Sequence, residues 1–195
     1  MKALKTLLLA SAVMVGAVSL ATAAPVTVNP GSLTANGNVT AVFAFAEASD
    51  ESQLFKVSAG GVIFDNKVDA PGTTRNIGAN SGLIQFRLNN LSAGYSFIND
   101  VADTGAGGDG FFHAKYGTSA ADFGVTFSAA ANTAIAALTG PVFLVGFEDR
   151  RGGDYDYNDL IFAFSTVRAT TVPEPVSMAI LGAGLVGLGF ARRRS

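Results

Sequence analysis

"FLVGFEDRRGGDYDYNDLIFAFS", Phe143 to Ser165, sets two apolar runs around a polar loop. Val142 to Phe147 and Leu160 to Val167 are short and rich in Phe, Val, Leu and Ile, the composition of buried strands. Between them, Glu148 to Asp159 gathers five carboxylates and an asparagine into twelve residues, with Gly152 and Gly153 near the middle. Pairing of the two runs as a hairpin would bring Glu148 and Asp149 on one side against Asp154, Asp156, Asn158 and Asp159 on the other. Glycines at the tip permit positive φ, which lets backbone carbonyls turn inward.

Several carboxylates, further oxygen donors and a tight glycine turn are the ligand chemistry of Ca²⁺. The spacing Asp154-x-Asp156-x-Asn158 imitates the first three ligands of an EF-hand loop. Asp159 then stands where that loop needs Gly, and Ser165 where it needs Glu, so the stretch is not an EF-hand. A calcium site would instead be built from hairpin geometry, with Asp100, Asp103 or Asp109 available across the sheet edge. The competing reading is a solvated loop whose acids keep the chain soluble and cap turns through Asx hydrogen bonds.

Strand periodicity recurs outward from the loop. Ile84, Phe86 and Leu88 alternate with polar residues in "LIQFRL", and Phe123, Val125 and Phe127 alternate in "DFGVTFS", each pattern predicting a strand with one buried face. "QLFKVS", the turn Ala59 to Gly61 and "VIFDN" predict a hairpin. Further strands are expected at Val39 to Glu47, Tyr95 to Ile98 and Gly110 to Tyr116, and alanine-rich Ser128 to Leu138 suits a short helix. Turn residues recur about every ten positions, so the expected fold is all-β, an antiparallel β-sandwich of jelly-roll type over residues 24–168.

The two ends stand apart from this domain. Lys2 and Lys5, an apolar run from Leu7 to Leu20 and Ala21-Thr22-Ala23 predict a secretory signal peptide over residues 1–23, its apolar part a signal helix. Residues 169–175 form a linker ending in Pro173-Glu174-Pro175. Residues 176–195 combine an apolar segment with Arg192, Arg193 and Arg194, a short transmembrane helix with a basic stop. Its sixteen apolar-segment residues reach roughly 24 Å as helix, short of a hydrocarbon core of about 30 Å. The positive-inside rule puts the arginines in the cytoplasm and the domain outside the inner membrane. From Ala24 to Val172 the chain holds eight Lys and Arg against fourteen Asp and Glu, an acidic body unsuited to nucleic acid. The absence of cysteine excludes disulfides, thiolate metal sites and thiol nucleophiles.

Two resemblances follow from these residues. Phe143 to Ser165 resembles the signature of a bacterial domain of unknown function, number 4114, in which an apolar strand, Phe-Glu-Asp, a Gly-rich turn and Asp-x-Asp-x-Asn-Asp precede another apolar strand. The resemblance implies that Glu148, Asp149, Asp154, Asp156, Asn158 and Asp159 are a characteristic polar set, and implies no activity. The tail is similar to a PEP-CTERM sorting signal, with Pro173, Glu174, Pro175, the apolar segment and the three arginines in order. That resemblance implies recognition by an exosortase, removal of the tail, and release or surface attachment in an exopolysaccharide-making Gram-negative bacterium.

Other signals are weaker. Gly182 to Gly187 satisfies G-x-G-x-x-G, but no strand precedes it and no ribose-binding acid follows. His113, the only histidine, lacks a serine in a nucleophile-elbow context and reads as an ordinary strand residue. The expected function is therefore an exported, non-catalytic surface or matrix protein with Ca²⁺ at the acidic loop, and exopolysaccharide or other surface proteins as partners. The alternative is a carbohydrate-active enzyme using Glu148 or a loop aspartate, with Tyr155 and Tyr157 as the nearby rings able to stack on sugar.

Overall fold

A computed structural model describes residues 25–170; the expected signal helix, the Pro-Glu-Pro motif and the C-terminal apolar segment lie outside the described residues. Ten strands occur in the order β1 (Ser32–Ala46), β2 (Ser52–Lys56), β3 (Val62–Asp65), β4 (Thr74–Ile84), β5 (Phe86–Asn90), β6 (Tyr95–Ile98), β7 (Ala114–Gly117), β8 (Val142–Phe147), β9 (Leu160–Ser165) and β10 (Val167–Thr170). Among the described residues, helix is confined to α1 (Ala129–Ala136) and a 3₁₀ turn at Ala120–Phe123. The strands form two antiparallel sheets. One runs β10-β1-β9-β8-β7 with β4 also paired to β1, and the other runs β3-β2-β5-β6.

The two apolar runs around the acidic loop pair as expected, from Val142↔Ser165 to Phe147↔Leu160. Every residue of β9 is buried because both of its faces are covered. Leu160, Phe162 and Phe164 join a core to which both sheets contribute, whereas Ile161 and Ala163 pack under Phe123, Phe127 and Ala131 on the opposite face. That double burial is why the strand reads as a continuous apolar run without a polar alternate. In the shared core, Phe43 and Phe162 of the larger sheet stack on Phe64 of the smaller one at centroid distances of 5.8 and 5.7 Å. Phe86 and Phe164 stack across the same space at 4.0 Å.

Several local expectations need correction. "DFGVTFS" is not a strand: Phe123 ends the 3₁₀ turn, Gly124 follows at φ 68°, and the segment has no ladder partner. Its alternating Phe123 and Phe127 are buried all the same, because the segment lies over the larger sheet. "LIQFRL" is two strands, broken at Gln85, where the chain leaves one sheet for the other. Gly110 to Tyr116 contributes only β7, and Phe112 makes isolated bridges to Val26 and Ala102. Leu160 to Val167 divides at Thr166, which adopts φ 58° and donates its hydroxyl to Asn38 O at 3.0 Å. β1 begins seven residues before Val39, its early alternation of Leu33 and Ala35 being interrupted by exposed Asn36 to Asn38, and β4 is polar, glycine-bearing and largely exposed and shows no alternation. The hairpin of β2 and β3, the strand at Tyr95–Ile98 and the short helix stand where expected, α1 being capped by Ser128 Oγ accepting from the Ala131 N–H at 3.1 Å.

Removing one member of the inter-sheet aromatic stack leaves a cavity that its neighbours cannot fill. Phe162→Ala is expected to lower unfolding free energy by about 3–5 kcal/mol, whereas Leu83→Ala, at a residue 61% exposed, should change it by no more than about 0.5 kcal/mol. Urea titration of the two variants checks the contrast.

Candidate functional site

The β8–β9 ladder ends at Phe147↔Leu160, so the loop from Glu148 to Asp159 springs from a fixed point. Glu148 prolongs the neighbouring ladder as well, donating its N–H to His113 O at 2.9 Å. Its side chain is carried inward and is only 2% exposed. One carboxylate oxygen each from Glu148, Asp154 and Asp156 lie within 4.8 Å of one another. Asp154 is exposed and Asp156 half-buried, so the group opens to solvent on one side. Glu148 Oε2 is buried and receives no N–H or hydroxyl donor, while the Asp159 carboxyl lies close enough to share a proton with Glu148. Gly153 closes over this carboxylate so tightly that a Cβ there would overlap Glu148 Oε1.

The remaining residues of the expected set take supporting places. Asp149 is buried, accepts the Ser52 hydroxyl on Oδ2 at 3.1 Å, and donates its N–H to Asp159 Oδ2 at 2.9 Å. Asn158 folds back on Asp156, donating through Nδ2 at 2.6 Å and through its backbone N–H at 3.1 Å. The two arginines of the loop turn away from these acids. Arg150 binds both oxygens of Asp50 at 2.8 and 2.5 Å, and Arg151 binds both oxygens of Asp103. None of the ion pairs among the described residues involves Glu148, Asp149, Asp154, Asp156 or Asp159.

Burial without a counter-cation sets the electrostatics. Desolvation first, then the charges of Asp159 and Asp154, push the Glu148 carboxyl up to about 8. Burial, followed by the charge of Asp159, lifts Asp149 to about 6. Asp156 is raised as well, chiefly by burial. Two non-glycine residues with positive φ flank Asp156, Tyr155 at 56° and Tyr157 at 64°. Aromatic residues rarely adopt that region, so surrounding bonds must hold them there. The Tyr157 hydroxyl accepts from the Val26 N–H at 2.6 Å and donates to Phe112 O at 3.1 Å. The Tyr155 hydroxyl accepts from the Gly152 N–H at 3.1 Å and donates to Asp109 Oδ2 at 3.0 Å. Tyr157 is therefore buried and closed to a sugar ring, contrary to its expected availability for stacking.

Of the acids expected across the sheet edge, Asp109 reaches the loop through Tyr155, and Asp103 through Arg151. Asp100 instead accepts from Gln85 Nε2 at 2.6 Å. His113, expected to be an ordinary strand residue, lies buried just before β7, with Nε2 at 3.2 and 3.1 Å from the two oxygens of Asp109 and its ring stacked on Phe97. Asp103, Asp109 and His113 also converge, but Arg151 and Tyr155 already satisfy the two aspartates. Sequence reasoning missed Asp50, Ser52 and Asn90, which hold the base of the loop. They lie some sixty to a hundred positions earlier, and only sheet topology brings them there.

With fold and site in place, the chain falls in the class of all-β proteins built from antiparallel sheets. Residues 171–194 match the PEP-CTERM protein-sorting motif, which includes Pro173, Glu174, Pro175, Arg192, Arg193 and Arg194. The motif marks an exported chain with a membrane-anchored sorting signal and an exosortase as its processing partner. No curated protein and no solved structure matches the chain significantly.

The raised carboxyl of Glu148 has a definite pH signature. Its folded value of about 8 exceeds its ordinary value of 4.5, so the folded state holds the proton more tightly than the unfolded state. The resulting stabilisation is complete below about 4.5 and is lost as pH rises through about 8. In chelator, the melting temperature is expected to fall across this window, with Asp149 adding to the fall at its lower end. Glu148→Gln should flatten the upper part of the profile and exceed the wild type at pH 8, as thermal melts across pH will show.

Proposed function

We propose that the chain is an exported, non-catalytic β-sandwich protein of the cell surface or extracellular matrix, with Ca²⁺ bound at the acidic loop in a structural or adhesive role. The observation that carries the metal assignment is the buried Glu148 Oε2, which receives no N–H or hydroxyl donor, beside the carboxylates of Asp154 and Asp156. A buried acceptor without a partner costs roughly 1–3 kcal/mol, and more when charged; a cation removes that cost together with the mutual repulsion. All three groups offer hard oxygen, which suits Ca²⁺ and suits zinc poorly. The open side of the group leaves room for the waters that calcium retains. The resemblance of Phe143 to Ser165 to domain of unknown function 4114 singles out the same acids.

A glycan-active enzyme is the second reading, favoured by the raised Glu148 carboxyl, which would suit a general acid. Against it, the acids crowd into one loop that offers a sugar little aromatic surface, since the chain has no Trp and Tyr157 is buried. Turnover of a polysaccharide panel, abolished by Glu148→Gln with the fold intact, would establish this reading in place of the first.

Calcium at about tenfold above a Kd of about 10⁻⁴–10⁻³ M should raise the melting temperature of the wild type by about 3–6 °C. Asp154→Asn and Asp156→Asn should abolish most of that rise, and an unchanged wild-type melt would defeat the metal assignment. For sorting, intact-mass measurement on protein from the producing cells should find a C-terminus near Pro173 and no Arg192 to Arg194. Recovery of only full-length chain in the inner membrane would count against processing.

A further inference from the structure

The residues that follow Glu148 belong to the larger sheet's hairpin, yet the smaller sheet and the chain leading into it hold them. Ser52 of β2 donates its hydroxyl to Asp149 Oδ2 at 3.1 Å, and Asn90 of β5 donates Nδ2 to Asp149 O at 2.9 Å. The same Asn90 amide donates to Asp50 Oδ2 at 2.8 Å, and Asp50 takes the Arg150 guanidinium on both oxygens. Asn66 braces the far side, accepting the Ser52 N–H and donating to Asp50 O, each at 2.8 Å. Asp50, Ser52, Asn90 and Asp149 are all buried. They form a continuous polar bridge between the sheets, one residue from the carboxylate whose buried oxygen lacks a donor.

We propose that this bridge makes calcium binding at the acidic loop and closure of the two sheets along this edge one coupled event, with Asp50, Ser52 and Asn90 as positioning residues for the metal site. The inference rests on the calcium reading above. In the absence of a cation, the acids crowded into one short loop repel one another, and the repulsion acts against the bonds that dock Asp149 on the smaller sheet and Arg150 on Asp50 just before β2. A cation held by Glu148, Asp154 and Asp156 removes that repulsion. In return, Asn90 and Ser52 fix the backbone and side chain of Asp149 and so set where Glu148 enters the site. By linkage the coupling is reciprocal: what tightens the bridge tightens calcium, and calcium tightens the bridge. Extracellular calcium modules commonly work at about 10⁻⁴–10⁻³ M, so for an exported chain the lock would engage outside the cell.

Calcium titration of the full chain by isothermal calorimetry tests this, with Asp50→Asn and Ser52→Ala beside the wild type and melts in chelator to show that each variant folds. Asp50→Asn should weaken calcium binding about tenfold, and Ser52→Ala about threefold. Ser52→Ala removes one hydroxyl and carries the test if Asp50→Asn fails to fold. Amide hydrogen exchange should show slower exchange in β2 and β5 on adding calcium, which a merely structural role for the bridge would not produce. Wild-type affinity in the folded variants, or unchanged exchange in β2 and β5, overturns the coupling while leaving the calcium reading intact. Absence of calcium binding by the wild type overturns both.

Discussion

Burial of the Glu148 carboxylate is the constraint around which the acidic loop is arranged. β8 and β9 are covered on both faces, and the ladder between them is continuous to its last pair. Glu148 is the next residue after that pair and bonds by its N–H to His113 O, so its side chain is delivered into the protein. An ordinary hairpin would place a turn residue or a solvated polar group at this point. Here the chain holds an acid where water cannot reach one of its oxygens, and it has no arginine or lysine against it.

The loop could have neutralised itself, because Arg150 and Arg151 lie in its own sequence. Each is instead committed to an aspartate outside the hairpin, Arg150 to Asp50 and Arg151 to Asp103. Those pairs anchor the two flanks of the loop and leave the acids at its centre without an ion pair. The backbone repeats the pattern. Tyr155 and Tyr157 sit at positive φ and are fixed through their hydroxyls to Asp109, Val26 and Phe112, presenting Asp156 between two anchored rings. A solvated loop has no need of such strain, which costs on the order of 1–3 kcal/mol per residue.

Much of this was legible in the sequence, and the boundary of legibility is physical. The β8–β9 hairpin, the β2–β3 hairpin and α1 could be read because local composition and turn chemistry determine them. Convergence of Glu148 with Asp154 and Asp156 could be read because closing a hairpin is a local event. β4 could not, since an exposed edge strand with Gly78 and Gly82 buries too little to impose a two-residue period. "DFGVTFS" misled for the opposite reason: two phenylalanines buried at alternate positions imitate a strand even where no partner strand exists. Asp50, Ser52 and Asn90 were invisible because their role arises only when two sheets from distant parts of the chain meet.

Taken as sequence, Glu148 to Asp159 is a self-contained hairpin tip, and its neighbours in the chain are β8 and β9 alone. In the fold, Asp149 is held by the other sheet, Arg150 is held by Asp50 just before that sheet's strand β2, and one oxygen of Glu148 is buried. Charge placed on this loop is therefore felt where the sheets join. A group of acids at a free tip could relax outward until water screened it, at little cost. Glu148 and Asp149 cannot do so without breaking the bonds of Asp149 and Arg150 to Ser52, Asn90 and Asp50, so their crowding is relieved in place, by protons held more tightly than usual or by a cation.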